Sequence, residues 1–418
     1  MTEEENRLLT EISPGTPCGA LMRRYWQPAA LSEELPPGGA PLALRLLGED
    51  LVLFRDDRGR PGLLGLHCSH RGADLSYGRV EDGGLRCIYH GWLYDTDGRC
   101  LDQPGEPSGG AQRGAIRHPA YPCVERAGTI FTYMGPGEPP LFPNYEFLSV
   151  AEERVFVLKL FSGCNYLQGN EGNIDLAHLS FLHYNSGRRV EGETPPGEYL
   201  DSRGLAPEME SYDAEVTDYG VRSIKIRRLR DSDHYHLFVT EFVLPSFTAF
   251  FGGQYAVDRT YSVNWHVPID DGRHWKYTFI FSRKQPLQKE STRRHRAEMT
   301  ADYRPTRHQG NRYLQDQDSM KVESYSGIGL NFQVQDLCVT EGMGLVQDRT
   351  KERLVSMDRA IVMTRKVLLK AIRDLQEGRE PKNIVRRAEQ NRFRIDACSD
   401  LVPNHQGWKE YLEKLVRA

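Results

Sequence analysis

The chain has 418 residues, with 54 basic against 58 acidic side chains and a formal net charge of -4. That length supports two or three domains with ample core, and so even a charge balance gives no reason to expect a nucleic-acid or membrane-surface partner. The acidic start Met1–Asn6 lacks the apolar stretch of a signal peptide, no apolar run reaches the length of a membrane span, and eight thinly spread cysteines fit a reducing, cytoplasmic setting.

Residues 1–25 carry Leu8, Leu9 and Ile12, then Gly15-Thr16-Pro17, with a short helix expected over Gly19–Tyr25. This segment is expected to pack on a later domain. Strand patterns follow: Leu42–Leu47, a Gly-Glu-Asp turn, Leu51–Phe54, and a further hairpin signal at Asp56-Asp57-Arg58-Gly59. Short strands and Gly/Asp/Pro turns continue to about Gly135, which predicts a small antiparallel β domain over residues 26–135. The four prolines of Pro136–Pro143 read as a linker into a second domain, residues 136–418.

In that second domain Val155–Phe161 alternates as a strand, and Asn165–His183 has a helical pattern. Residues 186–210 read as irregular, either a pocket-rim lid or a surface excursion. Strands are expected over Glu215–Arg228, His234–Pro245, Phe247–Phe251, Arg259–Val267 and Trp275–Ser282. Glu290–Arg312 reads as a surface helix. A long helix is expected from about Ser356 to Glu377, packed on the sheet. The class is therefore α+β: an antiparallel β domain, then an antiparallel sheet gripped by helices.

Two pairs of metal-binding side chains stand out. Cys68-Ser69-His70 is followed, after sixteen residues, by Cys87-Ile88-Tyr89-His90. Zinc fingers usually pair Cys with Cys and His with His. One Cys and one His per loop instead suits a two-iron cluster in which one iron takes both thiolates and the other both imidazoles. A structural Cys2His2 zinc site is the alternative. Further on, Glu171, Asp175 and His178 would share a face of a continuous helix. His183 would lie about 140° from His178 on that helix, so the two can meet only if it ends or unwinds between them. Two histidines and a later carboxylate would form the facial triad of ferrous oxygenases, which leaves positions open for dioxygen and substrate.

Cys68-Ser69-His70-Arg71-Gly72-Ala73, Cys87-Ile88-Tyr89-His90-Gly91-Trp92 and Asp175-x-x-His178-x-x-x-x-His183 together resemble the signature of the Rieske non-haem iron oxygenases, catalytic subunit. Thr16–Ala29 is similar to the start of the phthalate-dioxygenase-like branch. The resemblance implies a [2Fe-2S] cluster on Cys68, His70, Cys87 and His90, and Fe(II) on His178, His183 and a late acid. In Gln333–Gly344, which looks like the family's late ligand segment, it selects Asp336, with Glu341 as runner-up. It gives Asp175 the role of electron bridge between a cluster histidine of one subunit and an iron histidine of its neighbour. It therefore implies a head-to-tail homotrimer or stacked trimers. A simple orienting role for Asp175 within its own subunit is the other reading.

The same resemblance implies O2-dependent dihydroxylation, monohydroxylation or O-demethylation of an aromatic, carboxylate-bearing substrate. No dinucleotide fingerprint and no ferredoxin cysteine set occur in the chain. NAD(P)H would therefore act only indirectly, through a separate flavin/iron-sulfur reductase. Arg222 and Arg259 resemble positions that hold substrate carboxylates; both could equally be sheet-face arginines in salt bridges. Phe247, Phe250 and Phe251 could wall a pocket or fill the core, and Leu179 beside His178 offers it no polar contact. A Rieske electron carrier without oxygenase activity, or a zinc-stabilised binding protein, are the competing classes.

Overall fold

Turn-rich sequence between Trp26 and Tyr133 builds three small antiparallel sheets in the computed structural model, which describes every residue except 184–206, 230–231, 253–259, 290–297, 323, 394 and 418. One sheet joins Trp26–Leu31, Thr129–Tyr133 and Cys123–Arg126; a second joins Leu42–Leu46, Glu49–Arg55, Pro61–Gly65 and Ala120–Tyr121. The third joins Arg79–Glu81, Gly84–Arg86, Leu93–Asp95 and Cys100–Asp102. Val52, Phe54, Leu64, Leu75, Leu85 and Tyr94 form a core of their own, into which Cys68 and Cys87 project.

Strands from Val155 onward make one eight-stranded antiparallel sheet. Its order is Val155–Ser162, Arg273–Ser282, Thr260–Asp270, Phe247–Phe251, His234–Val243, Gly220–Leu229, Pro207–Val216, and Cys398–Pro403 also pairs with His234–Val243. Strand alternation sends Phe247, Trp265, Tyr277 and Phe279 to one face, where they join Phe131, Tyr145 and Phe147 in the main core. The opposite face carries Thr248, Asn264, His266, Lys276 and Thr278, and the helix Tyr166–Ile174 lies across it. Leu9, Leu21 and Met22 from the two N-terminal helices, Glu3–Thr10 and Pro17–Arg23, share the main core with Leu368 and Ile372. The latter two belong to the helix Arg359–Gln376, which packs on the strands Pro207–Val216 and Gly220–Leu229.

Four expectations need correction. The helical pattern of Asn165–His183 is cut short: the helix ends at Ile174, with Asp175 extended as its C-cap. The expected strand Glu215–Arg228 is a hairpin of two strands turning at residues 217–219, and its first strand begins at Pro207, inside the stretch read as irregular. The rest of that stretch lies outside the described residues. The described part of Glu290–Arg312 is turns and a 3-10 segment beginning at Gln309, with no α-helix.

Because the helix stops early, Glu171 does not join the histidines. It is buried between Arg349, 2.8 Å away, and Arg365, 2.6 Å away, with Arg365 also held by Glu352. Burial pushes the Glu171 carboxyl up, but the two guanidinium charges outweigh it and hold the group below its ordinary value. Replacing Glu171 by Ala leaves the buried Arg349 without a carboxylate and strips Arg365 of one of its two, and should cost about 3–5 kcal/mol, read from urea unfolding. A depressed carboxyl stabilises fully above its unfolded value of about 4.3 and loses that contribution as pH falls through the lower folded value. The gap between wild type and Glu171→Gln should therefore be full at neutral pH and shrink in that acid range.

Candidate metal centres and substrate pocket

The two cluster-type loops have the same backbone construction. The Cys68 amide donates to the Ala73 carbonyl and the Gly72 amide to the Cys68 carbonyl; the Cys87 amide donates to Trp92 and the Gly91 amide to Cys87. Gly72 and Gly91 both sit at φ +74°, the left-handed region that glycine adopts without strain. The thiols of Cys68 and Cys87 are buried. His70 is exposed and His90 half-buried, with ring centroids 4.5 Å apart and His70 stacked on Trp92 at 4.6 Å. The Tyr94 hydroxyl lies 3.2 Å from the Cys68 sulfur. Ser69 donates to His118, whose other ring nitrogen donates to the Gly65 carbonyl, so the first loop is braced from behind.

A single zinc would draw all four ligand atoms to within about 4 Å of one another. Among the described residues, the only group of three or more His, Cys, Asp or Glu ligand atoms converging within 4.8 Å is a different one: His178, His183 and Asp336. The four loop residues instead present a buried sulfur pair and an outward imidazole pair, as a two-iron cluster with mixed ligands requires.

The early end of the helix Tyr166–Ile174 is what brings the second set together. Asp175 caps it and accepts the Ala177 amide at 2.8 Å, and a 3-10 turn over His178–Ser180 swings the chain back. His183 thereby returns to His178, with their Nε2 atoms 3.1 Å apart. The helix Phe332–Gly342 brings Asp336 Oδ1 to 3.0 Å from His183 Nε2 and 3.7 Å from His178 Nε2. Bonds of about 2.1 Å meeting at about 90–120° would give such edges around an ion.

Surrounding groups hold the donors in their ligating states. His183 Nδ1 donates to Gln335 Oε1 at 2.7 Å, and Gln335 is pinned by donating to the Gly329 carbonyl at 2.6 Å, so Nε2 keeps its lone pair for the ion. The His183 ring stacks on Phe332 at 4.3 Å. Burial pushes His178 toward its neutral form. Burial raises the Asp336 carboxyl, but the His183 imidazole 3.0 Å away outweighs that and keeps it below its ordinary value. Gln335→Leu should weaken ferrous binding about 10–100-fold in an iron titration without altering the Rieske spectrum. Glu341 is committed elsewhere, taking hydrogen bonds from the Gly163 amide and the Tyr313 hydroxyl.

These donors open onto a pocket between the helices and the polar face of the sheet. Leu176, Leu179, Phe238, Phe250 and Phe332 supply apolar walls; Asp175, Asn173, Thr240, Asn264, Thr278 and Lys276 supply polar ones. Of the three phenylalanines singled out in the sequence, Phe250 lines the pocket while Phe247 is core and Phe251 packs on Tyr261. Arg222 is a correction. It donates to Glu241 at 2.6 Å and Glu215 at 2.7 Å, with Asp396 at 3.9 Å. Arg222 and Glu241 lie on the sheet face opposite the pocket-lining Thr240, while Ser223 and Lys225 on the pocket side bond to the Ile174 and Leu176 carbonyls, and no described residue of this strand lines the cavity. Arg259 lies outside the described residues. Gln335, Lys276 and Asn264 were not singled out in the sequence; only Gln335, beside Asp336, had a neighbour to flag it.

A mixed-ligand [2Fe-2S] module followed by a two-histidine, one-carboxylate site defines the class of Rieske non-haem iron oxygenases. The Rieske [2Fe-2S] domain model matches residues 25–122, and the LigXa C-terminal domain-like model matches residues 132–418. The chain is 35% identical to the phthalate 4,5-dioxygenase oxygenase subunit of Pseudomonas putida, over 100% of this chain and 96% of that protein. It is 32% identical to the 5,5'-dehydrodivanillate O-demethylase oxygenase subunit of Sphingobium sp., over 92% of this chain and 84% of that one. Dicamba monooxygenase bound to dicamba shares the fold, with a TM-score of 0.60 at 18% identity over 86% of this chain and 100% of that structure. The chain therefore belongs to this oxygenase family, as an oxygenase subunit of its phthalate-dioxygenase-like branch. No helix among the described residues is long and apolar enough to cross a membrane.

Proposed function

We propose that this subunit uses O2 to hydroxylate or O-demethylate an aromatic acid in the pocket bordered by His178, His183 and Asp336. The convergence of those three donors within 4.8 Å at the cavity wall is the observation that carries the reading. When bound there, Fe(II) supplies the oxygen-activating chemistry. His178, His183 and Asp336 hold it from one side, and Gln335 fixes the His183 ring. The apolar walls set an aromatic ring beside the open face and keep bulk water out. Relatives named for phthalate and dehydrodivanillate support an acidic arene as substrate.

Cys68, His70, Cys87 and His90 hold the cluster that receives electrons from a separate flavin/iron-sulfur reductase, with NAD(P)H behind it. Asp175, at the pocket wall, bridges to the cluster histidines of a neighbouring copy in a head-to-tail trimer or stacked trimers. The outward His70 edge and the exposed Ile88 and Tyr89 of the second loop support such an apposition. A trimer or hexamer mass in sedimentation is the expected result. The reaction is tested with iron-loaded protein, a generic reductase and 18O2 on a panel of aryl acids. Label in a hydroxylated or demethylated product supports the reading, and its absence from every product, with both metals in place, overturns it.

A further inference from the structure

Among the described residues that line the pocket, Lys276 carries the only positive charge. Its strand alternates, so Lys276 and Thr278 share the pocket face while Tyr277 and Phe279 lie in the core. Opposite them on the neighbouring strand stand His266 and Asn264, paired with Lys276 and Thr278 respectively. Lys276 is itself 3% exposed.

The residues around it form a hydrogen-bond chain of one direction. The Cys164 carbonyl can only accept, so His274 Nδ1 donates to it at 2.7 Å. His274 Nε2 then accepts from His266 Nδ1 at 2.9 Å, and His266 Nε2 accepts from Asn173 at 2.9 Å. Asn173 in turn accepts from Asn264, and Asn264 accepts from Thr278 at 2.8 Å. A proton added to either imidazole would set two donors face to face, and burial also disfavours it, pushing His274 to about 4 and His266 well down. A side chain at Gly169 would collide with both rings, so the helix backbone seats directly on the pair. This corner of the wall thus carries the charge of Lys276 and no second one from the histidines. Across the pocket, Thr240 is 2% exposed and its hydroxyl has no partner among the described residues.

We propose that Lys276 is the specificity residue of the pocket, anchoring the ring carboxylate of an aryl acid at the sheet wall so that the ring lies between the apolar walls with another edge toward His178, His183 and Asp336. The His274–His266–Asn173–Asn264 chain positions that wall, and Thr240 offers a further hydrogen bond. The assignment rests on the reading of this cavity as the oxygenation site.

The test is calorimetric titration of the metal-loaded protein with benzoate, phthalate and 3-phenoxybenzoate and with their primary amides, for wild type, Lys276→Met, Lys276→Gln and Lys276→Arg. Wild type should prefer at least one acid to its amide by about ten- to hundredfold, the range of a charge-assisted hydrogen bond. Lys276→Met and Lys276→Gln should lose that preference while binding the amide as wild type does, and Lys276→Arg should recover part of it. Unchanged amide affinity separates loss of the anchor from loss of the fold, and the Gln variant carries the test should the Met variant not fold. Retained acid preference in the Met or Gln variant overturns the anchor, yet leaves the oxygenase reading standing if labelled product still forms. Equal binding of acid and amide by wild type also overturns it. Failure of every acid to bind wild type, or to be oxygenated, overturns the aryl-acid reading and the anchor together.

Discussion

His183→Ala protein should keep the visible absorption and reduced-state paramagnetic spectrum of its [2Fe-2S] cluster, bind little mononuclear iron, and fail to incorporate labelled oxygen. Losing only an outer hydrogen-bond partner of a ligand costs about 10–100-fold in metal affinity, so loss of the ligand itself should exceed that range. The His183 ring is held from two sides, by Gln335 and by stacking on Phe332, so water filling the gap would not reproduce its placement. Asp336→Ala should behave alike, since its carboxylate faces both Nε2 atoms. Cys87→Ser should do the reverse, abolishing the cluster spectrum and sparing the iron site. The cluster cysteines sit in the core of the small β domain, whereas His178, His183 and Asp336 sit at the pocket wall of the second domain. Cluster loss in His183→Ala, or full iron content with normal turnover, would contradict the assignment.

Asp175→Asn is the second large effect. An Asn carbonyl can still accept the Ala177 amide, and the C-cap bond runs from the backbone N–H of residue 175 to the Glu171 carbonyl, so the turn that delivers His178 and His183 should survive. What disappears is a charged acceptor able to serve imidazole N–H groups on both sides. Cluster reduction, iron content and substrate affinity should stay within about twofold of wild type, whereas oxidation of the reduced cluster by O2 and substrate should slow by about ten- to hundredfold, the range set by outer partners of ligands. Stopped-flow absorbance of the cluster reads that step directly. An unchanged rate would make Asp175 an orienting residue of its own subunit, with no part in transfer.

Much of this site could be read from the sequence because its decisive spacings are local. Two residues between Cys87 and His90, one between Cys68 and His70, and a glycine after each pair leave a tight loop little freedom, and the loops fold alike. The separation of His178 from His183 likewise required a break in the helix. Its position could not be read, because the 3.6-residue pattern runs on past Ile174 while the chain itself is turned out by the Asp175 cap. Glu171 shows the consequence: on an ideal helix it would stand beside the histidines, but it is neutralised by Arg349 and Arg365, far along the chain.

The sequence by itself determined the antiparallel class and the two metal motifs, which follow from near neighbours whose backbone geometry leaves few alternatives; the resemblance to the family pointed to Asp336. Only the tertiary structure decided which cation lines the pocket. Alternation states which residues of a strand share a face, but not which face is covered by a helix and which carboxylates approach from other strands. Arg222 is taken up by Glu241 and Glu215, and Lys276 is turned into the cavity beneath the helix Tyr166–Ile174. Those outcomes depend on charges and surfaces brought together from distant parts of the chain.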